Sequence, residues 1–177
     1  PAGAPGTAAL PPELRDFLDR LHSRPRTLAD VPAVPVRIVA SAGSACRAAA
    51  AAARAHGLRA RLVRARIDGE AAKLGVRFAA SLARQPAGVV QIRSGESTVN
   101  LPAQPGRGGR NQHLALAAAL ELERRGLRDA HLLAAGTDGI DGSSSDAGAL
   151  VDVETCQRGR DAGCDPIASL ARADSGT

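Results

Sequence analysis

From Val36 onward, short apolar runs alternate with longer alanine-rich stretches, and this alternation limits the possible folds more than any other feature of the chain. Residues 36–40, 58–65, 89–92, 98–101 and 131–135 read as strands, with Leu62 and Val63 expected in the core. Between them, 44–56 (closed by Gly57), 69–84 and 111–125 carry apolar residues at helical spacing, with Leu74, Phe78 and Leu82 on one face. Residues 154–161 and 166–171 are further helix candidates, and 147–151 fits either state. Strands separated by helices predict an α/β fold, a layered sheet with helices packed on it. Upstream, 11–21 reads as a helix because Leu14, Phe17, Leu18 and Leu21 recur at helical intervals. Residues 1–10 are expected to be a linker end, and the proline-rich 24–35 a connector. A helix ending at Pro86 puts a segment boundary at 85–88.

The 177 residues suit one ordinary domain, or one domain and part of another. Methionine is absent, which predicts a fragment or trimmed product. The first ten residues lack the charged-then-apolar order of a signal peptide, and no apolar run approaches the roughly 20 residues of a membrane span. A soluble, cytoplasmic protein is expected. The net charge of +5 comes from arginines scattered along the chain, Lys73 is the only lysine, and Phe17 and Phe78 are the only aromatics. A nucleic-acid partner is not expected, because single-strand readers need aromatic platforms. Cys46, Cys156 and Cys164 are odd in number and not at zinc-ligand spacing. Cys46 is expected to be a small buried apolar residue, and a cytoplasmic setting argues against a Cys156–Cys164 disulfide. His22, His56 and His131 are dispersed, whereas His113 falls in the first turn after a glycine loop.

That loop, Gly106-Arg107-Gly108-Gly109-Arg110-Asn111-Gln112, runs straight into the 111–125 helix. Glycines at a helix start let amides converge on an anion, and arginines can clamp phosphate or carboxylate. The same glycines would also serve a tight turn with no ligand. The loop is neither a Walker sequence nor the dinucleotide fingerprint, whose third glycine would fall at Asn111. A second loop, Gly136-Thr137-Asp138-Gly139-Ile140-Asp141-Gly142, follows the 131–135 strand and reaches Asp146 through three serines. Its oxygen ligands suit Mg²⁺, and its residue types equally suit a plain turn. In Ser94-Gly95-Glu96-Ser97-Thr98, Glu96 could coordinate metal, orient Arg110 or face solvent. Asp68-Gly69-Glu70 is expected to cap the next helix.

Together with Ala147-Gly148-Ala149, these loops resemble, in order and spacing, the C-terminal MOFRL domain of type II glycerate kinases, often labelled hydroxypyruvate reductases. The resemblance covers about residues 36–177. It implies a fragment of a two-domain Rossmann-like kinase, with 1–87 the C-terminal part of the preceding MOFRL-associated domain and 88–177 a MOFRL domain truncated at its C-terminus. It further implies ATP-dependent, Mg²⁺-dependent phosphorylation of D-glycerate to 2-phosphoglycerate by the parent enzyme, in a cleft between its domains. The family's catalytic arginine falls on Arg110. Arg107, Gly108, Gly109, Asn111, Glu96 and Thr137 are then expected at substrate or phosphate, and Asp138 and Asp141 at metal. The family's catalytic lysine has no counterpart here. Two other readings stand beside this one: a non-catalytic anion-binding fragment or degenerate homologue, and an NAD(P)-dependent hydroxypyruvate reductase. The departures from the family pattern are His113 in place of an acid, Ser143-Ser144-Ser145 in place of Pro-Thr-Asp, and Asp146 displaced by one.

Overall fold

The structure, a computed structural model, describes residues 11–22 and 34–176. The chain forms two compact units, Pro1–Val39 and Ala40–Thr177. The smaller unit contains helix α1 (Pro12–His22), with proline in the first turn where its missing N–H costs nothing. The expected linker 1–10, and most of the 24–35 connector, lie outside the described residues.

In the larger unit, helix α2 (Ala42–Ala55) is opened by a capping box between Ser41 and Ser44. Strand β1 (Arg59–Leu62) pairs in parallel with β2 (Val89–Ile92), and helix α3 (Ala71–Leu82) lies between them in sequence. Helix α4 (Arg110–Arg125) leads to β3 (Leu132–Ala135), which pairs antiparallel with β4 (Gly148–Val151). Two short helices follow, α5 (Thr155–Asp161) and α6 (Pro166–Ala171). The architecture is α/β with helices packed on strands, as expected. The sheet is divided into two two-stranded pieces.

The centre of the unit is the α3–α4 crossing. Along this seam α4 buries Leu114, Ala115, Ala117, Ala118, Ala119 and Leu122, and α3 buries Ala71, Leu74, Phe78 and Ala79. Alanines let the two backbones approach closely, and Gly75 marks the tightest point. A Cβ there would overlap the Leu114 carbonyl oxygen and lie 3.0 Å from the Ala117 methyl. Val151 and Cys156 complete the core around Leu122. Burying Leu122 alone is worth about 2–3 kcal/mol.

Several expectations fail locally. Residues 34–41 form no strand, and Val36 is 87% exposed, because an apolar run becomes a strand only when a hydrogen-bonding edge receives it. Residues 98–101 contribute a single bridge, Glu70 to Thr98, and Leu101 is exposed. Leu62 also lies at the surface, and Val63 and Cys46 are half-buried. Glu70 sits at the N-cap of α3 without capping it: its carboxylate pairs with Lys73 at 2.6 Å, and the Ala71 amide bonds the Thr98 carbonyl instead. All three cysteines are thiols, and burial pushes Cys156 up to about 11, so it is inert at neutral pH.

Candidate functional site

The glycine loop, the acidic loop and the C-terminal segment meet at the start of α4. This helix begins at Gly109, which has no side chain to cap it, so its first amides need an acceptor from elsewhere. Asp141 supplies it. One carboxylate oxygen accepts from the Asn111 amide at 3.1 Å and from Asn111 Nδ2 at 2.9 Å; the other accepts from the Gln112 amide at 2.7 Å. Asp141 is only 2% exposed, and a side chain at position 109 would overlap its carboxylate. Only glycine therefore lets the loop sit against Asp141.

The remaining loop amides are largely engaged within the protein. Gly106 donates to the Arg172 carbonyl and Arg107 to Asp174 at 2.9 Å, while Gly108 donates to Ser143 Oγ at 3.1 Å. The Gly176 amide returns to the Arg107 carbonyl, and Ser143 donates its amide to the Gly108 carbonyl. The amides of Gly109 and Arg110 have no acceptor among the described residues. Beside them stands the Arg110 guanidinium, exposed and ion-paired with Glu96 across the gap from the β2 side. Asp138 reaches back over Gly136, which also adjoins the Asn111 side chain.

The structure thus brings Glu96, Gly109, Arg110, Asn111, Asp138 and Asp141 to one locus. Thr137 and Arg107 lie on the same loops with exposed side chains, and Gly108 is half-buried beneath Ser143 and Ser175. Two of these residues serve the framework. Asp141 faces the helix start rather than solvent, and the Gly108 amide is already bonded. His113 is buried one turn into α4, and burial lowers its pKa from the ordinary 6.5, so it is a neutral packing residue at physiological pH. Asp146 holds Ser144, whose hydroxyl accepts the Asp146 amide at 2.9 Å. Among the described residues no three His, Cys, Asp or Glu side chains cluster as a metal cage.

The MOFRL family pattern matches residues 89–177, half of the chain. The chain belongs to the MOFRL family. It is 36% identical over 178 aligned positions to an Agrobacterium vitis protein provisionally named hydroxypyruvate reductase, covering 95% of this chain and 45% of the relative. It is 34% identical to a D-glycerate 2-kinase of Thermotoga maritima, covering 88% of this chain and 37% of that one. A crystal structure of glycerate kinase from the same organism superposes with a TM-score of 0.73 at 28% identity, over 92% of this chain and 43% of the other. The chain therefore spans less than half the length of these relatives.

The MOFRL match covers every residue of the locus and also residues that the motifs do not point to. Asp174, Ser175 and Gly176 close over the glycine loop, and Ser143 locks Gly108. Their bonds to the loop join positions 67 and 35 residues apart, which local sequence does not signal. No described helix is long and apolar enough to cross a membrane.

Proposed function

We propose that this chain supplies the anion-neutralising part of a site that transfers the γ-phosphoryl group of ATP to D-glycerate, giving 2-phosphoglycerate. One observation carries the reading. Arg110 projects, exposed, from a helix start whose outermost two amides remain open while the deeper ones are bound by Asp141. That is an anion receptor mounted on a rigid support.

In this reading Arg110 and the Gly109 and Arg110 amides meet the transferring phosphate or the glycerate carboxylate, and Glu96 holds the guanidinium at its post. Asn111 is fixed by Asp141 at the same helix start, while Thr137 and Arg107 line the approach. Because the groups are held in place before the charge develops, they stabilise it without reorganising. A glycerate hydroxyl then attacks the γ-phosphorus in line as the bond to ADP breaks. For Mg²⁺, Asp138 fits as one exposed carboxylate ligand, and Asp141 does not, since its oxygens face α4. Mg²⁺ held largely by substrate phosphates would neutralise their charge. We assign 88–177 to the MOFRL domain and 1–87 to the end of the domain preceding it, and place the protein, as a user of cellular ATP and D-glycerate, in the cytoplasm.

The name of the Agrobacterium vitis relative favours a second reading, hydroxypyruvate reduction with NAD(P)H. The glycine loop lacks the dinucleotide pattern, so that reading needs a nucleotide site outside this chain. A receptor without catalysis is the third. The test is Arg110→Ala in the protein that contains this chain. Loss of about 10²–10³ in kcat/KM for D-glycerate is expected, by analogy with removing one oxyanion donor. Unchanged kinetics would remove Arg110 from the site.

A further inference from the structure

Most of the charged pairs in this protein follow one rule: arginines near other charged groups have a carboxylate partner. Arg110, Arg124, Arg125, Arg158, Arg160 and Arg172 each pair with Asp or Glu. A different group converges without any acid. The guanidinium carbon of Arg93, just past β2, lies 4.8 Å from the centroid of the Phe78 ring, and that of Arg77 on α3 lies 5.6 Å from the same ring. Arg61 of β1 is opposite Gln91 in the parallel register, and Gln91 Oε1 accepts from Arg93 at 2.8 Å. Three guanidinium groups from β1, α3 and the end of β2 therefore share one locality. No carboxylate lies within ion-pair distance of any of them among the described residues.

Arg77 and Arg61 both act on Arg93. Burial first, then Arg77 and Arg61, lower the pKa of Arg93 from its ordinary value. The cluster is nevertheless built, not loose. Phe78 is buried, so Arg77 and Arg93 stand against a fixed ring, and Gln91 fixes the fork of Arg93. Arg61 and Arg77 are exposed and Arg93 half-buried, so the charge is open to solvent on one side. Repelling cations held together by a rigid aromatic support are what a multiply charged oxyanion requires, since guanidinium forks match phosphoryl oxygens in geometry as well as charge.

We propose that Arg61, Arg77 and Arg93, arranged around Phe78 and Gln91, form a binding site for a polyphosphate group, distinct from the Arg110 locus. It does not depend on the kinase reading. The source of the polyphosphate is either a nucleoside triphosphate or an inorganic chain, and the shared recognition element is the run of phosphoryl charges.

The test is titration of the protein with tripolyphosphate, and separately with ATP, by calorimetry at constant ionic strength. Saturable binding is expected, weakened about tenfold by Arg77→Gln and further by the Arg77→Gln/Arg93→Gln double variant. Because Arg77 is exposed, its single variant keeps the test valid should the double variant misfold. Equal affinity for both ligands supports recognition of the chain alone; tighter ATP binding assigns the site to a nucleotide. Absence of saturable binding overturns the proposal, as does equal heat from chloride, or loss of binding in Arg110→Gln with retention in Arg77→Gln.

Discussion

Asp141→Asn is the sharpest test of how the candidate site is built. In the native protein one buried carboxylate accepts three hydrogen bonds, at 3.1, 2.9 and 2.7 Å, from the first turn of α4. Each such charge-assisted bond is worth about 1.5–3 kcal/mol net, and the negative charge also complements the helix N-terminus. Asparagine keeps the shape and one acceptor oxygen. Its other end becomes an amide donor turned toward N–H groups, so at least one buried donor loses its partner. Removing the charge also recovers the cost of desolvating a carboxylate, which works in the opposite direction. Unpartnered donors should decide the balance, because the surrounding backbone gives them nowhere else to turn. The expected destabilisation is about 3 kcal/mol, or roughly 6–12 °C in Tm for a unit of this size. Differential scanning calorimetry and urea unfolding of wild type and variant measure it. Gly109→Ala attacks the same contact from the other side and should lower Tm comparably, since its Cβ overlaps Asp141. A Tm within about 2 °C of wild type for Asp141→Asn, or a rise, would show that the capping account is wrong.

Further outcomes follow from the same geometry. Gly75→Ala should cost about 1–3 kcal/mol in urea unfolding, because the new methyl meets the Leu114 carbonyl at the α3–α4 crossing; no loss would mean the helices can part freely. His113 has a folded pKa below its ordinary 6.5 through burial, so the unfolded chain takes up its proton first and stability should fall as pH drops below about 6.5. His113→Leu should flatten that part of the Tm–pH curve, and an unchanged slope would assign it to other groups. The Arg124 hydrogen bond, aided by Arg125, holds Glu121 down to about 2. Its contribution is full above the ordinary carboxylate value and fades as pH falls toward 2, so Glu121→Gln should cost about 1–2 kcal/mol at pH 7, discounted because Arg124 is largely exposed, and almost nothing at pH 2.

What the sequence disclosed, and what it hid, divides along the range of the interactions involved. The helices at 110–125 and 166–171 and the strand at 89–92 were legible because their signals are local: apolar spacing, a glycine at one end, a proline at the other. The Arg110 loop was legible for the same reason. The 36–40 and 98–101 runs have strand composition, but strand formation is decided by a partner edge that local composition does not encode. Asp141 belonged to an acidic loop whose composition suggests metal, and only the fold reveals that it serves a helix thirty residues earlier in the chain. The open pair of amides at Gly109 and Arg110 could not be read from sequence at all, because it is defined by which neighbouring amides are already bonded.

The role proposed for the Arg110 locus is phosphoryl transfer to D-glycerate. A coupled assay on the protein that contains this chain tests it most directly, following ADP release with D-glycerate, ATP and Mg²⁺ in parallel with NAD(P)H oxidation by hydroxypyruvate. Glycerate-dependent ADP release is expected, collapsing in Arg110→Ala while Tm stays nearly constant, since the exposed Arg110–Glu96 pair adds little stability. Hydroxypyruvate-dependent NAD(P)H oxidation without ADP release would contradict that role.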